Sequence, residues 1–319
     1  MKKLSPAWFL FFFAPLTVEY ASGSTSTWNP IVLGANLLLY GPGTLMIREL
    51  RVRWGKGWLA VFILSIAYVV AEEGLMLNTL FDPTQNTAGR LLGVNWVWTT
   101  GMVVVHSLVS IFVPILLAEA VYHEKANEPW LKPRSFGLLL VAFLANIFGL
   151  GRLIAPLHRP PIIYYLSEEA FIGGCLWLAY KIPSPQSGLV QTTAVRSVRW
   201  LYFGSLAGML VTMVVGFAAP ALSISPAAKI ALMMGAYLGY LGWLKRNRAF
   251  DLALEPPLKF AIASGMISFW LLVSPAVSFG KRSVEPALAG ALVAGVLFSA
   301  QRRLRQESPA IDFGKLGTS

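Results

Sequence analysis

Apolar residues in this chain run in long unbroken stretches instead of alternating with polar ones. Ten such stretches stand out: residues 5–21, 30–50, 57–81, 94–122, 135–157, 161–180, 200–222, 226–243, 257–279 and 284–300. Each comes near the roughly 20 apolar residues that a helix needs to cross a bilayer. The pattern predicts an all-α, polytopic integral membrane protein of about ten transmembrane helices. The first stretch follows Lys2 and Lys3 and reads AWFLFFFAPLTV, like a signal peptide. Glu19 and Tyr20 stand where cleavage wants small residues, so a retained first span is expected. Gly41-Pro42-Gly43 should kink or unwind the second span, and Pro114 should kink the fourth. Asp82-Pro83 opens a polar loop, and 181–199 is a polar connector. Residues 1–300 read as one helical transmembrane domain, and 301–319 as a polar tail expected to fray.

Charge placement sets an orientation. With both termini cytoplasmic, inner segments carry twenty of the 26 lysines and arginines, and outer loops and span ends carry only Arg90, Arg152, Arg159, Lys281 and Arg282. This bias is what the positive-inside rule demands. Arg48, Glu49, Arg51 and Arg53 are expected to form an interfacial anchor.

Composition agrees with the pattern. The chain has 319 residues, 56% hydrophobic and 13% charged, whereas a soluble domain has about 25% charged residues. The net charge of +11 resides at span ends rather than on a folded basic surface, which argues against nucleic acid. Membrane lipids are the expected surroundings, and a prokaryotic plasma membrane the expected location. The single cysteine, Cys175, allows no internal disulfide.

The candidate chemistry is a set of polar groups at membrane depth. At about 1.5 Å per residue, Glu72 lies roughly 22 Å from the inner end of its span and His106 roughly 18 Å from the outer end of the next. Glu168 lies roughly 10 Å below the outer end of the sixth span. Glu19, Asn36, Asn146 and Arg152 fall in the same outer half. Such groups are expected to share a polar pocket, because lipid satisfies none of them. Helical spacing puts Ser65, Tyr68, Glu72 and Thr79 on one stripe, and Asn95, Thr99, His106 and Ser110 on another. Glu73 lies about 100° from Glu72 on a regular helix, and is expected to face a neighbouring helix. Glu72, Glu73 and His106 are the candidate catalytic groups. Glu168, Glu169, Asn146, Asn36 and Tyr68 are candidate substrate contacts. No metal-binding spacing such as HExxH occurs, and no cofactor is implied.

Glu72-Glu73 followed by Met102-Val-Val-Val-His106 resembles the first two motifs of the CPBP family, which includes CAAX prenyl endopeptidases and bacteriocin-processing proteins. The resemblance covers residues 60–114. It implies a metal-independent intramembrane peptidase in which Glu72 is the base on water, Glu73 its partner and His106 the oxyanion stabiliser. Leu77 stands where that pattern has arginine, Met102 where it has an aromatic, and the third motif has no counterpart.

Three functions fit these residues. One is a glutamate-dependent hydrolase acting on a membrane peptide or lipid-like substrate. A second is an ion- or proton-coupled transporter. The third is a non-catalytic membrane subunit of a larger complex, with the polar groups as glue between helices.

Overall fold

Lipid offers no partner to a backbone N–H or C=O, so each apolar stretch must fold as a helix. The computed structural model describes residues 4–26, 28–84, 89–154, 158–185 and 197–307. Its helices are α1 (Pro6–Pro15), α2 (Pro30–Arg53), α3 (Trp58–Val69), α4 (Trp96–Val105), α5 (Val113–Val121), α6 (Pro133–Phe148), α7 (Ile162–Lys181), α8 (Val198–Ala218), α9 (Pro226–Arg246), α10 (Pro256–Lys281) and α11 (Glu285–Glu307). Three π-helical segments extend them: Leu16–Tyr20 after α1, Val70–Met76 after α3, and His106–Phe112 joining α4 to α5. All ten expected spans are present as helical rods. Eight are long and apolar enough on their own to cross a membrane, which makes this a multi-pass membrane protein. The helix starts follow their sequence signals. Ser5, Asn29, Asn95, Ser197 and Ser225 each cap a first turn with a side-chain oxygen.

The core lies where α1, α3, α5 and α10 meet, with Leu10, Phe112, Ile115, Ile262 and Met266 sealed from solvent. The rods are unequally enclosed. The apolar window of the α3 rod is 83% buried, whereas those of α6 and α7 are 22% and 17% buried. α10 crosses α8 closely because Gly265 has no side chain: a Cβ there would stand 2.3 Å from the Tyr202 carbonyl oxygen.

Several expectations are corrected. Gly41-Pro42-Gly43 leaves α2 helical throughout. The two glycines instead receive rings: a Cβ on Gly41 would meet Phe11 at 2.7 Å, and one on Gly43 would meet Tyr68 at 2.3 Å. Pro114 falls in the first turn of α5, where a missing N–H is tolerated. The Ser110 carbonyl lies just before it. Thr44 of α2 donates to that carbonyl at 3.0 Å. The loop before α4 contains a short antiparallel ladder, Arg90–Leu91 with Val94–Asn95. Leu92 and Gly93 turn it with positive φ, as a two-residue hairpin requires. The polar tail does not fray at once, since α11 continues to Glu307. Residues 308–319 and most of the 181–199 connector lie outside the described residues.

The arginine-rich end of α2 is not a solvated anchor. Arg48, Glu49, Arg51 and Glu119 are all buried. Arg48 reaches Glu49 at 2.9 Å and Glu119 at 3.3 Å, and Arg51 pairs with Glu119 in a short contact. Arg48 also donates to the carbonyls of Lys125, Ala126 and Glu128, and its guanidinium lies 3.6 Å from the centre of the Trp130 ring. Glu49 accepts the Trp130 N–H at 2.7 Å. The cluster straps the α5–α6 connection to α2. It was misread because four closely spaced charges at a span end look the same whether they face water or a folded loop.

Two predictions follow from this frame. Glu119→Leu leaves the buried Arg51 guanidinium without its carboxylate, while Arg48 keeps Glu49, so it should cost about 3–5 kcal/mol. Thermal unfolding in detergent checks this, with Glu124→Leu as an exposed comparison. The second concerns Asp82, in the loop after the α3 rod. Burial pushes its carboxyl up, but the Thr84 hydroxyl and amide, donating at 2.7 and 2.8 Å, outweigh burial and hold it below its ordinary value. A lowered folded pKa stabilises above the unfolded value and is lost as pH falls through the folded one. The wild type should therefore lose more thermal stability than Asp82→Asn as pH drops from about 5 toward about 2.

Candidate functional site

Three rods change their winding where their polar residues lie. In a π turn the N–H bonds five residues back, as Ala21 does to Leu16 (3.0 Å), Ser24 to Glu19 (2.9 Å) and Leu77 to Glu72 (2.9 Å). Each such turn holds an extra residue, so neighbouring side chains diverge less than on an α-helix. Glu19 lies in the first π segment, Glu72 and Glu73 in the second, and His106 opens the third. π-helix forms well under 1% of ordinary structure, and its single turns recur at functional sites.

The winding overturns the expectation for Glu73. Instead of facing away, it joins Glu72 in clasping one imidazole. Glu72 Oε2 lies 3.4 Å from His106 Nδ1, and Glu73 Oε1 lies 3.4 Å from His106 Nε2. Ser110 Oγ is 2.8 Å from the same Nδ1. Around this clasp the two carboxylates have different partners. Glu73 accepts from the Thr79 hydroxyl in a short contact and from the Trp98 indole N–H at 3.4 Å. Glu72 meets the Tyr40 hydroxyl in a short contact, while its Oε2 has no hydrogen-bond partner. Tyr40 also lies 2.6 Å from Glu19 Oε1. Glu19 accepts from Thr25 at 2.8 Å, and Thr25 from Asn36 at 2.8 Å. Glu19, Asn36, Tyr40, Glu72, Glu73 and His106 are all buried.

These six groups line a cavity of about 670 Å³. Its remaining walls are apolar, with Val97, Met102, Met213, Phe217, Met233 and Trp270 prominent. Ser22, Ser24 and Thr25, in the segment after α1, border it. Chemically the floor can hold, give and accept protons. One ligand atom from each of Glu72, Glu73 and His106 lies within 4.8 Å of the others, so these three could also hold a divalent cation.

Only part of the expected pocket converges. Asn146 donates to the Ala35 carbonyl at 3.0 Å and approaches Met76 Sδ, tying α6 to its neighbours away from the cavity. Arg152 donates to the Leu75 carbonyl at 2.7 Å. Glu168 lies behind the second π segment, against Gly74, with both oxygens lacking a hydrogen-bond partner. Glu169 is exposed and borders a separate apolar groove of about 810 Å³ between α2, α3, α6 and α7. Tyr68 faces that groove too, its ring centre 6.1 Å from that of Tyr40 and 6.4 Å from that of His106. Asn95 caps α4, and Thr99 donates to the Asn95 carbonyl. The sequence reading overlooked Tyr40, Thr25 and Trp98. Tyr40 was the most accessible of them, because it lies four residues after Asn36 on the same helix face.

Rods and cavity together define a polytopic helical membrane protein with a buried, protonatable cluster on a cavity wall. The sequence model of an uncharacterized membrane protein family matches residues 9–304, and the chain belongs to that family. No curated protein and no solved structure gives a significant match. The family match overturns the CPBP resemblance. Two adjacent glutamates and a later histidine form a short pattern that does not single out one family.

The close seat of Glu168 on the second π segment gives a prediction. A Cβ on Gly74 would stand 1.8 Å from Glu168 Oε1. Gly74→Ala should therefore push aside the flexible, unbonded tip of Glu168, at a cost of no more than about 1 kcal/mol. Thermal unfolding reads this loss, and Glu168→Ala in the same chain should restore part of it.

Proposed function

We propose that this protein is an intramembrane hydrolase that cleaves an ester or amide in a membrane-borne amphiphile. The observation that carries the reading is the imidazole clasped by two differently partnered carboxylates on the floor of an apolar-walled cavity. A pair of carboxyls whose surroundings differ is how acid and base roles are separated. Glu73, with two donors on Oε2, is suited to remain an anion and act as base. Glu72, linked to Tyr40 and Glu19, is suited to act as acid.

In this mechanism a water in the cavity gives a proton to Glu73 as its oxygen bonds to the substrate carbonyl carbon. The tetrahedral intermediate collapses, the bond to the leaving oxygen or nitrogen breaks, and Glu72 protonates that atom. His106 lies between the carboxylates and returns the proton from Glu73 to Glu72, which restores the site. The apolar walls suit the hydrocarbon part of the substrate, and the enclosed site limits competing water. An ion- or proton-coupled carrier is the second reading, supported by the line of protonatable groups from Glu19 to Glu73.

The test is hydrolysis of fluorogenic acyl esters and amides in mixed micelles. Glu73→Gln should lower turnover about 10²–10⁴-fold, the usual share of general acid–base catalysis, with unfolding temperature unchanged. A chelator should leave turnover intact. Full activity in Glu73→Gln removes the proposal. Substrate-independent, pH-driven solute uptake in proteoliposomes would favour the carrier.

A further inference from the structure

Tyr40 has one hydroxyl hydrogen and two carboxyl neighbours. Its oxygen lies 2.6 Å from Glu19 Oε1 and makes a short contact with Glu72 Oε1. A single O–H donates to one of them. If both carboxyls were anions, the other contact would press two lone-pair-bearing oxygens together at hydrogen-bond distance with no hydrogen between. The contact becomes a hydrogen bond when one carboxyl carries a proton and donates it to the phenol oxygen. Among the described residues that line the cavity there is no lysine or arginine to neutralise a further anion. The other titratable groups beside this chain are Tyr20, Tyr68, His106 and Glu73. Of these only His106 can be cationic, and it is shared between two carboxylates.

We infer that Glu19, Tyr40 and Glu72 hold one proton in common, and that Glu19, on the first rod, is where this proton exchanges with solvent. The outward side of the chain has the groups for that exchange. Glu19 Oε2 accepts from Thr25, Thr25 is half-buried at the cavity edge, and Ser24 beside it is exposed. The inward side continues through His106 to Glu73. The proton moves along this path by exchange of O–H bonds: Glu19 passes it to the Tyr40 oxygen as Tyr40 passes its own to Glu72. No group is oxidised or reduced, and the phenol is regenerated. The inference deepens the hydrolase reading, on which its catalytic meaning rests: the shared proton is the one with which Glu72 begins the cycle, and His106 returns it from Glu73 at the end. The shared proton itself can be observed without any substrate.

The experiment is infrared spectroscopy of the purified full-length protein in detergent at neutral pH, in H₂O and in D₂O. The wild type should show a protonated-carboxyl C=O band that shifts on deuteration and on labelling glutamate with ¹³C at the side-chain carboxyl. The band should be lost or displaced in Glu19→Gln and in Glu72→Gln, and displaced in Tyr40→Phe, which keeps the ring. It should persist in Glu168→Gln, which removes the other buried carboxyl without a hydrogen-bond partner. Absence of the band in the wild type, or its loss in Glu168→Gln alone, overturns the inference. Absence of the band in the labelled wild type refutes the shared proton even if a variant fails to fold. Acyl hydrolysis that depends on Glu73 while this band is absent would sink the shared proton and leave the hydrolase standing.

Discussion

A charge in the middle of a bilayer must be met by another charge or by directed dipoles, because hydrocarbon supplies neither. Much of this architecture answers that demand twice. Near one end of the rods, two guanidinium groups and two carboxylates are enclosed with the carbonyls of a connecting loop. Deeper along the same rods, an imidazole lies between two carboxylates. The first arrangement is tied to the backbone of the connecting loop, with Arg51 Nε alone of its buried atoms unbonded, and reads as structure. The second leaves an oxygen of Glu72 without a hydrogen bond and faces a cavity. That difference separates a fastening from a site.

Local winding makes the second arrangement possible. On a regular helix, adjacent residues point about 100° apart, which spreads neighbouring carboxylates away from a shared partner. A π turn narrows that divergence, and the turn after α3 contains both glutamates. Such turns are costly in isolation, and their surroundings hold them here. Gly74 admits Glu168 against the backbone, and Arg152 donates to the Leu75 carbonyl within the same segment. Within the turn that contains His106, Thr44 of α2 donates to the Ser110 carbonyl. Residues that look like pocket members by depth alone, Asn146, Arg152 and Glu168, thus serve the scaffold around the site.

The rods were legible in the sequence because long apolar runs have one solution in lipid, and each of the ten expected stretches coincides with a helical rod. The meeting of Glu72 with His106 was legible from depth and spacing. The inward turn of Glu73 was not, since periodicity arguments assume 3.6 residues per turn and nothing in VAEEGLM announces a wider one. Tyr40 escaped notice because a tyrosine in a span is common, and its importance comes from partners 21 and 32 residues away. The enclosed arginines escaped for the opposite reason: positive charge at a span end already has an ordinary explanation.

Unequal enclosure has a further effect. α6 and α7 bury about a fifth of their apolar windows, whereas the α3 rod buries 83%. Where a rod's neighbours are acyl chains, any residue that acyl chains accept will serve, and shape hardly matters. Where its neighbours are other rods, each side chain has to match a fixed contour. Random substitution should therefore leave α6 and α7 free to drift in sequence while the inner rods stay close to what they are.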